Sequence, residues 1–260
     1  MKMMICEFPD EAAHKAKAWD ALAGQVAAEK PHVAVLPEMP FCPWIFVGEA
    51  VDPALWRQAM ADHDRMIEKF DELDCPVVMA SRPVEREGRR FNEAFVWSKA
   101  SGYQAARRKW YLPDVPVAKE TVWFDQGDRD FSPAAYGSLR AGFQLCSEIM
   151  FPEHAREIGL AGGHLIAHPR ASGGARRWRA ACEMSAIVSG CYVASTNRRS
   201  YDRDGFSGGS WLFSPEAEML GDTTAERPFV TVEIDTAIAE RAKATYPRDM
   251  QRTYCGPVRA

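Results

Sequence analysis

Apolar residues in the first third of the chain fall on two alternating periods. From 10 to 28, Ala12, Ala16, Trp19, Leu22, Ala23 and Val26 recur at helical spacing, and Lys30-Pro31 ends the pattern. HVAVLPE follows, and Val33 to Leu36 is short and apolar enough for a buried strand. Asp52-Pro53 then supplies an N-cap and a first-turn proline for a second helix, with Trp56, Ala59, Met60, His63, Ile67 and Phe70 on one stripe. On that stripe, His63 reads as a histidine at the core edge.

CPVVMASRPV predicts a strand, EREGRR a polar turn, FNEAFVWSK a second strand, and Ser101-Gly102 a turn into YQAARRKW, which together make a meander. From Phe143 the predicted order is strand, helix (Pro152 to Leu160), strand (His164 to His168), helix (about Arg176 to Ser189) and strand (Tyr192 to Ser195). GGSWLFSP and FVTVEID supply two late strands, and 236 to 260 a charged helix and tail. No linker or repeat divides the pattern, so residues 1 to 260 read as one α/β domain. Alternating strands and helices combined with hairpins predict mixed sheets covered by helices. Ligands of such sheets lie beyond strand ends, which directs attention to the residues just after each apolar run.

Composition narrows the function. A hydrophobic fraction of 47% allows a substantial core, while 32 basic against 36 acidic residues offer no surplus of positive charge for nucleic acid or an anionic membrane. No apolar run approaches the roughly 20 residues of a membrane span, and MKMMICEFPDEAAHK has no signal-like core, so a cytoplasmic protein is expected. Seven scattered cysteines without a C-x-x-C pair read as reduced thiols, and such thiols are usually small buried hydrophobes.

Three polar residues stand where apolar runs end. Glu38 follows VAVLP among Met39, Phe41, Pro43 and Trp44; apolar surroundings would lift its pKa toward that of a useful base, although a surface glutamate at a strand end fits as well. Lys109 lies behind Arg107 and Arg108, which read as a solvated basic face. Strand alternation sends Lys109 opposite to Arg108, and its aromatic flank suggests a partly enclosed ammonium able to hold an oxyanion. Cys146 sits where FQL turns into PEHAREIGL; nearby positive charge would lower its pKa, and the Ser147 N–H is a candidate oxyanion donor. Base, cation and thiol together suit acyl transfer. His168 precedes Pro169 and reads as a structural strand end. His164 and His168, four residues apart on a strand, would lie roughly 13 Å apart, too far to share a metal.

LPEMPF, RRKWYLP and LCSEIMFPEHAREIGLAGG, in that order, resemble the three signature segments of the nitrilase, or carbon-nitrogen hydrolase, superfamily. RRFNEAFVW, ETVWFDQGD, GCYVASTNR, SGGSWLFSP and VTVEID extend the resemblance over almost the whole chain. It implies a four-layer α-β-β-α sandwich that pairs into homodimers or larger assemblies. It also implies Glu38 as general base, Lys109 as oxyanion stabiliser, Cys146 as nucleophile and Glu120 as a second glutamate orienting the lysine or the substrate nitrogen. Attack on a small amide or nitrile through a thioester would then need no metal or cofactor.

The sequence departs from that pattern after the cysteine. Many members carry Asp two residues on and Arg two beyond it; here these are Glu148 and Met150. Without the arginine, N-carbamoyl-D-amino acids are disfavoured, because their carboxylate would meet Ile149 and Met150. Cys146-Ser147-Glu148 keeps a nitrilase open, but Ser147 in place of the usual Trp and the compact length favour an amidase. An acyltransferase and a catalytically inactive scaffold are the remaining alternatives. Phe41, Trp44, Trp110, Trp123 and Met150 are candidates for an apolar acyl pocket, with Ser147 and Glu148 as further substrate contacts; the role of Glu148 is open between substrate contact and support of the cysteine turn.

Overall fold

A computed structural model describes residues 1–174, 176–202 and 204–250. The first half runs β1 (Lys2–Cys6), β2 (Phe8–Pro9), α1 (Ala12–Glu29), β3 (Val33–Val35), α2 (Pro53–Glu68), β4 (Val77–Arg86), β5 (Arg89–Ser98) and β6 (Gly102–Arg108). A short hairpin, β7 (Asp114–Val115) and β8 (Ala118–Lys119), leads directly into the one-turn helix α3 (Glu120–Trp123). The second half comprises β9 (Ala134–Tyr136), β10 (Leu139–Phe143), a 3₁₀ turn at Cys146–Met150, α4 (Pro152–Leu160), β11 (Leu165–Arg170), α5 (Arg176–Ser189) and β12 (Tyr192–Arg199). β13 (Trp211–Phe213), β14 (Met219–Asp222), β15 (Phe229–Glu233) and α6 (Thr236–Ala242) complete the described chain. The predicted charged tail beyond 250, with Cys255, lies outside the described residues.

One sheet has the order β15-β1-β3-β4-β5-β6 and the other β14-β13-β12-β11-β10-β9, with β2 pairing to β12. Strand alternation explains why the runs read as continuously apolar. Met3, Ile5, Val33 and Val35 face Leu165, Ala167 and Ala194 between the sheets. Their neighbours Met4, Cys6 and Ala34 pack outward against Trp19, Leu22 and Val26 of α1. Ile166 and Val193 of the second sheet pack likewise under Ala155, Ile158, Cys182 and Ala186 of α4 and α5. The layers are therefore α-β-β-α.

Local signals act where the sequence placed them. Asp52 accepts from the N–H groups of Ala54 and Leu55 at 2.8 and 3.2 Å, with Pro53 in the first turn of α2. His63 is fully buried rather than at the core edge. Its Nδ1 donates to the Ala59 carbonyl at 2.7 Å and its Nε2 faces the Phe41 N–H at 3.4 Å, so α2 braces the loop after β3.

β3, β6 and β10 end on the same side of the sandwich, and Glu38, Lys109 and Cys146 follow those ends. Arg198, fully buried on β12, donates to the carbonyls of Glu38, Met39 and Cys42, fixing that loop from the opposite sheet. On β6, Ala94 faces Arg107 while Phe95 faces Ala105, a bulge that inserts one residue before Arg107. Arg107 and Lys109, two positions apart, both turn inward, and Arg107 is buried. The solvated reading of Arg107 is thereby corrected: alternation that buries Lys109 must bury Arg107 too, and a carboxylate from the other sheet makes this possible. Arg108 remains half-exposed over the ring of Phe91.

Candidate active site

Glu38, Lys109 and Glu120 are all buried and share one ammonium. Lys109 Nζ lies 2.9 Å from Glu38 Oε1, and 2.9 and 2.8 Å from the two oxygens of Glu120. Asn92, paired through its carbonyl to the Lys109 N–H, donates its amide to Glu38 Oε1 at 2.7 Å. Glu38 Oε2 is buried and, among the described residues, has no hydrogen-bond partner. Burial is the largest influence on Lys109 and pulls its pKa down, but Glu120, Glu38 and Cys146 outweigh it and hold the ammonium above its usual value. Burial raises Glu120 to about 7; Lys109 opposes this and Glu38 adds to it.

Cys146 enters from the opposite sheet with φ +45°, a left-handed conformation that is uncommon outside glycine and places the thiol at the sharp turn from strand to helix. Its pKa is raised, first by burial and then by Glu38, with Lys109 only partly compensating. The expected lowering by positive charge is therefore overturned: burial dominates, and Glu38 and Glu120 oppose the pull of Lys109. A thiol raised in this way is protonated near neutral pH.

The turn carrying Cys146 is held from two sides. Glu148 Oε2 accepts from the Leu145 N–H at 2.7 Å, and Oε1 from the Trp110 N–H at 2.7 Å. Arg107 closes this arrangement with a fork onto both oxygens while its guanidinium stacks 4.0 Å from the Phe131 centroid. One carboxylate thus ties the residue before Cys146 to the residue after Lys109. Glu148, with no exposed surface, is held by these three partners and supports the turn, one of the two roles left open for it.

Below the turn, Arg170 Nε donates to Ser195 Oγ at 2.9 Å, Ser195 Oγ lies 2.9 Å from His168 Nδ1, and His168 Nε2 lies 2.9 Å from the Cys146 carbonyl. Because a carbonyl only accepts, Nε2 carries the proton and Nδ1 accepts from Ser195. Burial, with help from Arg170, lowers the His168 pKa to about 3, so the ring is neutral and structural. Its depressed value contributes stability above the ordinary 6.5 that is lost as pH falls toward about 3. His168→Gln, which keeps a donor and an acceptor without the titration, should make the fall in melting temperature between neutral and acidic pH less steep; an unchanged slope would contradict this.

Cys146 opens into a cavity of about 640 Å³ that is also lined by Glu120, Ser147, Trp44, Trp178 and Phe206. Of the aromatic candidates, Trp44 is on this wall. Phe41 is instead core, packed among Phe8, Trp19, His63 and Phe70. Trp123 is core beside Phe46, its Nε1 donating to the Val47 carbonyl at 3.0 Å. Trp110 lines a neighbouring groove with Tyr111 and Phe151, and Met150 packs with the cluster under α4 and α5. Residue type alone gave no means of separating wall from core. Asn92, Arg107 and Phe206 were missed; an inward Asn on β5 and an Arg two residues before Lys109 were the available signals.

The carbon-nitrogen hydrolase family model matches residues 8–244. The chain belongs to the carbon-nitrogen hydrolase family. The curated relatives include an omega-amidase from Arabidopsis thaliana, 24% identical over 69% of this chain and 51% of that protein, and a nitrilase from Pyrococcus abyssi, 29% identical over 56% and 55%. The chain spans about half the length of these curated relatives. A carbon-nitrogen hydrolase from Helicobacter pylori superposes with a TM-score of 0.80 at 21% identity, covering 97% of this chain and 95% of that one. An amidase from Nesterenkonia gives 0.75 at 17% identity, covering 98% and 96%. The family and its α-β-β-α sandwich are thus shown. Among the described residues, no helix is long and apolar enough to cross a membrane.

Proposed function

We infer that this chain is a cysteine-dependent amidase that cleaves a small amide through a thioester. The observation that carries the reading is the free, buried Oε2 of Glu38 beside an ammonium pinned by two carboxylates, with a protonated thiol presented from the facing sheet. Glu38 takes the thiol proton as sulfur attacks the carbonyl carbon, and the C–S bond forms. Lys109 and the Ser147 N–H stabilise the oxyanion, while Glu120 fixes Lys109. Collapse breaks the C–N bond, and Glu38 passes its proton to the leaving nitrogen. Water, deprotonated by Glu38, then attacks the thioester, releasing the acid and restoring the thiol.

A panel pairing each amide with its nitrile tests this reading through released ammonia and acid. Amides should turn over; product from nitriles alone would replace the reading with a nitrilase. Added hydroxylamine should divert only a minor share to hydroxamate, whereas predominant diversion would indicate an acyltransferase.

A further inference from the structure

The cavity in front of Cys146 has an apolar wall and, among the described residues, no buried charged group left unpaired for an acyl chain. Trp44 and Phe206 meet edge to face at 5.5 Å, with Trp178 also lining the cavity. The β7–β8 hairpin adds Val115 and Val117, which are 44% and 74% exposed, and Trp44 Nε1 donates to the Val117 carbonyl at 3.3 Å. Two valines left open at the mouth of a reactive cavity leave apolar surface for a ligand to cover. The volume of about 640 Å³ lies well within the range of roughly 300–1,000 Å³ typical of sites for drug-sized ligands, and is more than a two- or three-carbon amide occupies.

The buried charges are already committed. Lys109 is held by Glu38 and Glu120. Arg170 donates to Ser195, Ser172 and the Gly209 carbonyl and lies 4.3 Å from the centroid of Trp211. A substrate carboxylate would approach two existing carboxylates without a free buried cation among the described residues, and a substrate ammonium would compete with Lys109 for both. The remaining charges on the lining, Arg177 and Asp204, are exposed, where screening weakens their attraction.

We propose that the preferred substrates are amides of uncharged, apolar acids longer than propionic acid, the acyl chain lying against Trp44, Phe206 and the valines of the β7–β8 hairpin. This rests on the amidase reading of the same site and adds the substrate class to it.

The test compares kcat/KM for propanamide, butanamide, pentanamide and hexanamide with that for two amides of similar length, glutaric acid monoamide and 5-aminopentanamide. Burying each methylene should raise kcat/KM about fourfold, or about 60-fold from propanamide to hexanamide. Both charged amides should fall below hexanamide by at least that factor. Phe206→Ala and the surface change Val117→Ser should each lower the slope per methylene. A flat series overturns the proposal while leaving the amidase reading intact, as does a preference for glutaric acid monoamide that Arg177→Ala abolishes. If none of these amides gives ammonia or an adduct on Cys146, the amidase reading falls and the substrate class with it.

Discussion

Cys146→Ala should lower kcat for every amide by about 10⁴-fold or more while leaving the melting temperature close to that of the parent protein. Among the described residues the thiol's one hydrogen-bonding contact is long, 3.9 Å from the Ala171 carbonyl, and it faces the cavity, so its removal takes little from the packing. The left-handed backbone at this residue is no harder for alanine than for cysteine. Glu38 and Lys109 would remain but have no nucleophile to serve, and Cys42 and Cys182 are buried in other parts of the fold. Turnover within tenfold of the parent would show that the thiol is not the attacking group. Cys146→Ser, which retains a weaker nucleophile, should fall between the two.

Glu148→Gln should be the most damaging substitution outside the four proposed catalytic residues. It leaves the Arg107 guanidinium buried without a counter-ion, and breaking a buried pair in this way costs about 3–5 kcal/mol. In a chain of this size that is roughly a 10 °C fall in melting temperature. Glu148 also sets how the backbones beside Lys109 and Cys146 meet, through the N–H groups of Trp110 and Leu145. A loss of positioning of this kind should reduce kcat by about 100-fold with a smaller change in KM, because the acyl cavity is elsewhere. Glu148→Asp should recover part of kcat. Arg107→Met should resemble Glu148→Gln, and the double variant should lose less than the sum of the two. Equal loss of folded protein and of activity, with kcat per folded molecule unchanged, would reduce the pair to a purely structural role.

The contrast between Lys109 and Arg107 shows how far the sequence could be read. Lys109 was identifiable because strand alternation, an aromatic flank and the matching Glu38 and Cys146 segments all pointed to it. Arg107 carries the same inward signal two residues earlier, yet its partner Glu148 is in the turn that follows β10 of the facing sheet, and no local pattern reports a contact so far along the chain. The bulge opposite Ala94 is equally hidden, since one extra residue in β6 leaves no distinctive composition. β3, β4 and α2 were legible from apolar runs, helical spacing and the Asp52-Pro53 cap. The pocket was not: Phe41 and Trp44 are three residues apart, but the first fills the core and the second faces the cavity. Phe206 and Trp178 reach the same wall from distant segments that only the folded sandwich brings together.

The central claim is that an acyl group is carried on Cys146, and intact-mass and peptide mapping of protein acid-quenched during turnover of hexanamide tests it most directly. The account predicts a hexanoyl adduct on the peptide containing Cys146, absent from Cys146→Ala and removed when substrate is exhausted. Ammonia released at full rate with no adduct, or an adduct on another cysteine, would contradict it.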